Sequence, residues 1–145
     1  MLSYLSPAEC GSHMQMMDFV DSVQACMPAT APTLGLELTA AARQYINTLD
    51  TGGPSALLAR DQWRHRADVL ILERALAWQR DPRCLHHAAA LADLNTLAFA
   101  LAAARRPHDA QPVFAALGGI VTPWPWNAVG DPLAAYARES RRALR

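Results

Sequence analysis

The chain has 145 residues, about half of them apolar, and a formal charge of zero from 13 basic and 13 acidic residues. That length suits a single domain with its own hydrophobic core, and the apolar share excludes extended disorder over most of it. The charge balance excludes a broadly basic nucleic-acid binder.

Residues 1–13 admit two readings. Gly11-Ser12-His13-Met14 matches the scar that a common expression vector leaves before a cloned methionine. Ser6-Pro7-Ala8-Glu9 instead reads as a capping box with proline at the first helical position of an N-terminal extension. A single helical domain is expected over residues 14–145. From Gln15 to Met27, the residues Met16, Phe19, Val20, Val23, Cys26 and Met27 recur at helical spacing. Pro28 ends that segment, and a loop follows to Gly35.

A second helix is predicted from Glu37 or Thr39 to Asp50, with Ala42, Tyr45, Ile46 and Leu49 on its apolar stripe. Thr51-Gly52-Gly53-Pro54 stops it. A third is predicted from Asp61 to Arg80, with a stripe of Trp63, Ala67, Leu70, Ala77 and Trp78. Its Val69–Leu72 run is apolar all round, which marks a central helix. Asp81-Pro82 supplies an N-cap and a first-turn proline for a fourth helix, Pro82 to Arg105, with Leu91, Leu94, Ala98 and Leu101 inward. Together the third and fourth helices read as an antiparallel hairpin.

Beyond Pro107 the pattern weakens. A short helix is predicted from Asp109 to Leu117, with Val113, Phe114 and Leu117 inward and Gly118-Gly119 at its end. Ile120–Thr122 reads as extended, and Thr122-Pro123-Trp124-Pro125-Trp126-Asn127 as rigid and non-helical. Asp131-Pro132 starts a last helix to Leu144, with Leu133, Tyr136, Ala137 and Leu144 inward. The expected fold is all-α: an irregular bundle of about five helices around a central antiparallel hairpin, with a non-helical Pro/Trp segment near residues 120–130.

Three groups of residues are candidates for function. His65, His86, His87 and Asp93, with Cys84 beside them, are the candidates for acid–base or metal chemistry. Adjacent His86 and His87 point about 100° apart on a helix, and no HExxH, CxxC or i,i+4 histidine pair is present, so no metal or cofactor is implied. Cys84 at a helix start would feel a positive dipole end, though a lone cysteine also serves as a small buried hydrophobe. Arg60, Arg64 and Arg66 are the anion-binding candidate, extended by Arg105, Arg106 and the C-terminal arginines. The plain alternative is a solvated face with Arg64 paired to Asp68 at i,i+4. Trp124, Pro125 and Trp126 form the partner-binding candidate, against the reading that the tryptophans plug the open end of the bundle.

Residues 1–59 hold five acids and one arginine, and residues 60–145 hold eight acids and twelve arginines. Two halves with complementary fields therefore face each other in the simplest arrangement. All 13 basic residues are arginine, which with abundant alanine and leucine fits a GC-rich bacterial coding sequence. Three unpatterned cysteines, no secretory signal and no membrane span point to the reducing cytoplasm. The first functional expectation is a non-enzymatic interaction protein, regulator or adaptor, whose partner is another protein or a second copy in a homodimer. A small helical enzyme or metal protein using the His/Asp cluster is one alternative. A nucleic-acid-binding regulator using arginine faces is the other, disfavoured by the length and apolarity of the two central helices.

Overall fold

A computed structural model describes residues 33–86 and 88–145. Residues 1–13, the helix expected over Gln15–Met27, most of the following loop and His87 lie outside the described residues. Seven α-helices and no strand are found among the described residues. They are α1 Thr33–Asp50, α2 Gly53–Leu58, α3 Arg66–Gln79, α4 Ala90–Ala103, α5 Pro107–Leu117, α6 Pro123–Trp126 and α7 Pro132–Ala143. Short 3₁₀ turns occupy Ala59–Arg64, Cys84–His86 and Asn127–Val129.

The central element is α4, in which every residue from Leu94 to Leu101 is buried. Helices α1, α3, α5, α6 and α7 all pack on it, most extensively α5 and α1. The all-α bundle is as expected, and α3 packs on α4 within it. The all-round apolar character read into Val69–Leu72 does not make α3 central. Ile71, Leu72, Ala75 and Leu76 are its buried stripe, while Leu70, Ala67 and Ala77 are exposed.

The cause of that shift lies at His65. The expected helix from Asp61 to Arg80 is broken there, because His65 is extended (φ −68°, ψ 141°) between a 3₁₀ turn and α3. The break changes the register of everything after it. Arg64 consequently pairs with Asp61 at 3.2 Å instead of with Asp68. Gln62 ties the turn down, donating from Nε2 to the Ala41 carbonyl at 2.8 Å and to Asp68 at 3.4 Å.

The two Asp-Pro signals behave differently. Asp131 caps α7, accepting from the Ala134 N–H at 2.8 Å with Pro132 in the first turn. Asp81 instead accepts from the Arg83 N–H at 2.9 Å and pairs with its guanidinium. An Asx-type turn results, and α4 starts only at Ala90. At the other end of the chain, Leu133 and Leu144 are exposed, so α7 buries Ala135 and Tyr136 rather than the expected leucines.

An aromatic chain runs through the core. Trp63 packs on Tyr45, Tyr45 on Phe99, Phe99 on Trp126, Trp126 on both Phe114 and Tyr136, and Phe114 on Tyr136, with ring centroids 5.1–6.2 Å apart. Asn95, fully buried in α4, fastens the Trp126 segment to the bundle. Its Oδ1 accepts from Trp126 Nε1 at 2.9 Å, and its Nδ2 donates to the Leu91 and Ile120 carbonyls at 2.9 and 3.1 Å. Every hydrogen bond this amide needs in an apolar interior is thereby made.

Close packing at the start of α1 depends on a glycine. A Cβ at Gly35 would stand 2.6 Å from both carboxylate oxygens of Asp93. Glycine lets the α4 carboxylate reach the first turn of α1, where the helix dipole favours negative charge.

Candidate anion-binding cleft

The C-terminal end of α4 is built of small residues, Ala102-Ala103-Ala104, and then turns sharply into α5. Small side chains here, with Ala110 of α5 and Ala143 of α7, leave a cleft of about 770 Å³ between α1, α4, α5 and α7. That is within the usual range for a small-ligand site. Its apolar lining includes Ala102, Ala103, Val129, Phe99 and Trp126, and five arginines stand around it.

The α4–α5 turn that brings two of these arginines together is a Schellman motif. The Arg105 N–H donates to the Ala102 carbonyl at 3.1 Å, and the Arg106 N–H to the Leu101 carbonyl at 2.9 Å. This motif places one residue in the left-handed region, where glycine is usual. Arg105 takes that place with φ 57°, the one non-glycine positive φ among the described residues. Gly118 fills the equivalent position after α5 without strain (φ 56°).

Three of the five cleft arginines are ion-paired. Arg106 reaches Glu73 of α3 at 2.7 Å and Asp109 at 2.6 Å. Burial opposes its charge, but the hydrogen bonds to Asp109 and Glu73 outweigh this and hold the guanidinium above its ordinary range. Arg138 and Arg142 share Glu139 at 2.9 and 3.1 Å. Neither Arg60 nor Arg105 pairs with a carboxylate among the described residues. Both line the cleft together with Tyr45 and lie near enough to act on its hydroxyl. Burial raises the Tyr45 phenol above its ordinary value, while Arg60 and Arg105 pull it the other way. Glu139 acts on it in the same direction as burial, so Tyr45 stays a neutral hydroxyl at neutral pH beside two guanidinium groups that have no carboxylate partner of their own among the described residues.

Of the predicted anion-binding trio, the structure brings only Arg60 to this cleft. Arg64 is 84% exposed and paired with Asp61, and Arg66 is exposed in the first turn of α3. The break at His65 separates them. Arg105, Arg106 and Arg142, read from the sequence as an extension of the trio, do converge with Arg60. Sequence reasoning missed Tyr45, Arg138 and Glu139 as members of the site. The available signal was the i,i+4 pair Arg138–Arg142 around Glu139 on the last helix.

The His/Asp candidates stand elsewhere. His65 is exposed at the start of α3, and Asp93 lies against Gly35. His86 ends a 3₁₀ turn, its side chain outside the described residues together with His87. Among the described residues no group of three metal-ligating side chains is found. Cys84 is buried, its Sγ 3.5 Å from the Gln79 carbonyl. Burial first, and then Asp81, push the thiol above its ordinary value, opposite to the activation a helix start would give. The helix that would have supplied that dipole begins six residues later, at Ala90.

Trp124, Pro125 and Trp126 turn mostly inward. Pro125 is buried and Trp126 is 1% exposed, so Trp126 is the plug that the sequence offered as an alternative. Trp124 is half-buried, with the Arg43 guanidinium of α1 over its ring at 5.5 Å. The segment keeps the expected extended backbone at Thr122 (φ −91°, ψ 146°) and Trp124 (φ −84°, ψ 140°), and turns helical at Trp126 and Asn127.

No helix among the described residues is long and apolar enough to cross a membrane. No protein-family model, curated protein or solved structure matches the chain.

Proposed function

We propose that this protein is a small non-enzymatic regulator or adaptor that holds an anionic ligand in the cleft between α1, α4, α5 and α7. One observation carries the reading: Arg60 and Arg105 line the cleft with Tyr45 and have no carboxylate partner among the described residues, while the other three arginines are ion-paired. Uncompensated positive charge at a concave, partly apolar site attracts an anion and strengthens its hydrogen bonds. The lining supports binding rather than turnover. Its one carboxylate, Glu139, is engaged by two arginines, and its one phenol, Tyr45, is held neutral.

In this reading the anion biases a protein contact, with a second copy in a homodimer as the partner. The exposed Leu57 and Leu58 of α2 favour such a contact, at 82% and 64% exposure. A buried thiol in its neutral form and the arginine-only basic set fit a bacterial cytoplasm.

Thermal unfolding in increasing inorganic phosphate at constant ionic strength tests the reading. A ligand that binds only the native state stabilises it by about 2.7 kcal/mol at one hundred times its Kd. A saturable rise in Tm that disappears in Arg60→Ala is expected. An identical, non-saturating rise in both proteins would overturn the site.

A further inference from the structure

The cleft is amphiphilic, and this specifies its ligand further. Its two arginines without a carboxylate partner among the described residues, Arg60 and Arg105, line it together with Tyr45. The cleft also has a hydrocarbon lining: Ala102 and Ala103 of α4 and Val129 of the last 3₁₀ turn. A bare oxyanion would satisfy the guanidinium groups and leave that hydrocarbon wet. About 770 Å³ is also far more room than one oxyanion occupies.

We infer that the ligand is an amphiphilic anion, with one phosphate or carboxylate head on Arg60 and Arg105 and a flat apolar body on the Ala102–Ala103 and Val129 floor. The inference rests on the anion-binding reading above. Arg105 fits the role of head-group anchor through its backbone. Its left-handed conformation carries a side chain where the turn itself asks for none, and strain of this kind is a recognised mark of functional positions. Two guanidinium groups match a head of one to two negative charges, through forked hydrogen bonds that a lysine would not reproduce. The body gains from leaving water, in proportion to its buried area.

Calorimetric titration of the full chain with three probes tests this: inorganic phosphate, phenyl phosphate and phenol. Phenyl phosphate is expected to bind at least about tenfold tighter than phosphate, from burial of its ring. Phenol is expected not to bind measurably. Arg60→Ala and Arg105→Gly should each weaken phenyl phosphate by about tenfold, the usual loss for a hydrogen bond to a charged group. Val129→Ser should narrow the gap between phenyl phosphate and phosphate and leave phosphate itself unchanged.

Equal affinities for phosphate and phenyl phosphate would overturn the amphiphilic ligand and leave the anion site standing. Binding of phenol as tight as phenyl phosphate, or binding of neither anion, would overturn both. All three substitutions fall on exposed side chains, and circular dichroism verifies that each variant keeps its helices.

Discussion

Replacing Arg105 by glycine should make the protein more stable and its cleft weaker. Arg105 sits at φ 57° in the turn after α4, a conformation that costs an L-residue about 1–2 kcal/mol. Glycine removes that cost but loses about 0.5–1 kcal/mol more chain entropy on folding. The balance favours Arg105→Gly by roughly 0.5–1 kcal/mol, a rise in Tm of about 1–4 °C for a chain of this size. Removing a cation beside Arg60 adds to the gain in the same direction. Arg105→Ala is the control, since it deletes the same charge and keeps the Cβ, and with it the strain. Urea unfolding of the three proteins, at low and moderate salt, separates the terms. Glycine should exceed alanine by about 1 kcal/mol at both salt concentrations. If alanine matches or exceeds glycine, the left-handed strain is not there and the argument from it to function fails. The anion affinity should fall in both variants.

Three further outcomes follow from the core and its titrating groups. Asn95→Leu strands the Trp126 indole N–H and the Ile120 carbonyl, and should cost about 2–4 kcal/mol in chemical denaturation. Gly35→Ala drives a Cβ into the Asp93 carboxylate and should cost about 1–3 kcal/mol. Part of that loss should be recovered in an Asp93→Ala background, giving a measurable coupling in a double-mutant cycle. Cys84, Tyr45 and Tyr136 all have raised values in the folded state, each chiefly through burial. The unfolded chain therefore loses these protons first. Stability should hold below about pH 8.5, where unfolded thiols begin to ionise, and fall steadily through about pH 9–11 as the phenols follow. A flat stability profile across that range would contradict the burial of these groups.

Local chemistry with a single outcome was legible in the sequence. Asp131-Pro132 specified the start of α7, Gly118 the end of α5, and the spacing of Val113, Phe114 and Leu117 the buried face of α5. Competition between local options was harder to read. Asp81-Pro82 carries the same helix-start signal as Asp131-Pro132, yet Arg83 draws the Asp81 carboxylate into a turn. His65 lies in a continuous helical pattern, and the Gln62 bond to Ala41 belongs to tertiary structure that no local period encodes. The choice of central helix followed the same logic. Val69–Leu72 is an unbroken apolar run and α4 is not, but Asn95 binds Trp126 and Thr96 binds the Ala92 carbonyl, so both are buried in α4 without loss. Arginine as an anion-binding residue type was legible; which arginines meet was not. Arg60 and Arg105 are far apart in sequence and are joined only by how α1 and α4 pack.

The site assignment is tested most directly by NMR of the arginine Nε–Hε groups during titration with phenyl phosphate. The account predicts saturable shifts at Arg60 and Arg105 with a common Kd, and none at Arg64 or Arg66. Shifts of equal size at all four arginines, rising without saturation, would contradict it.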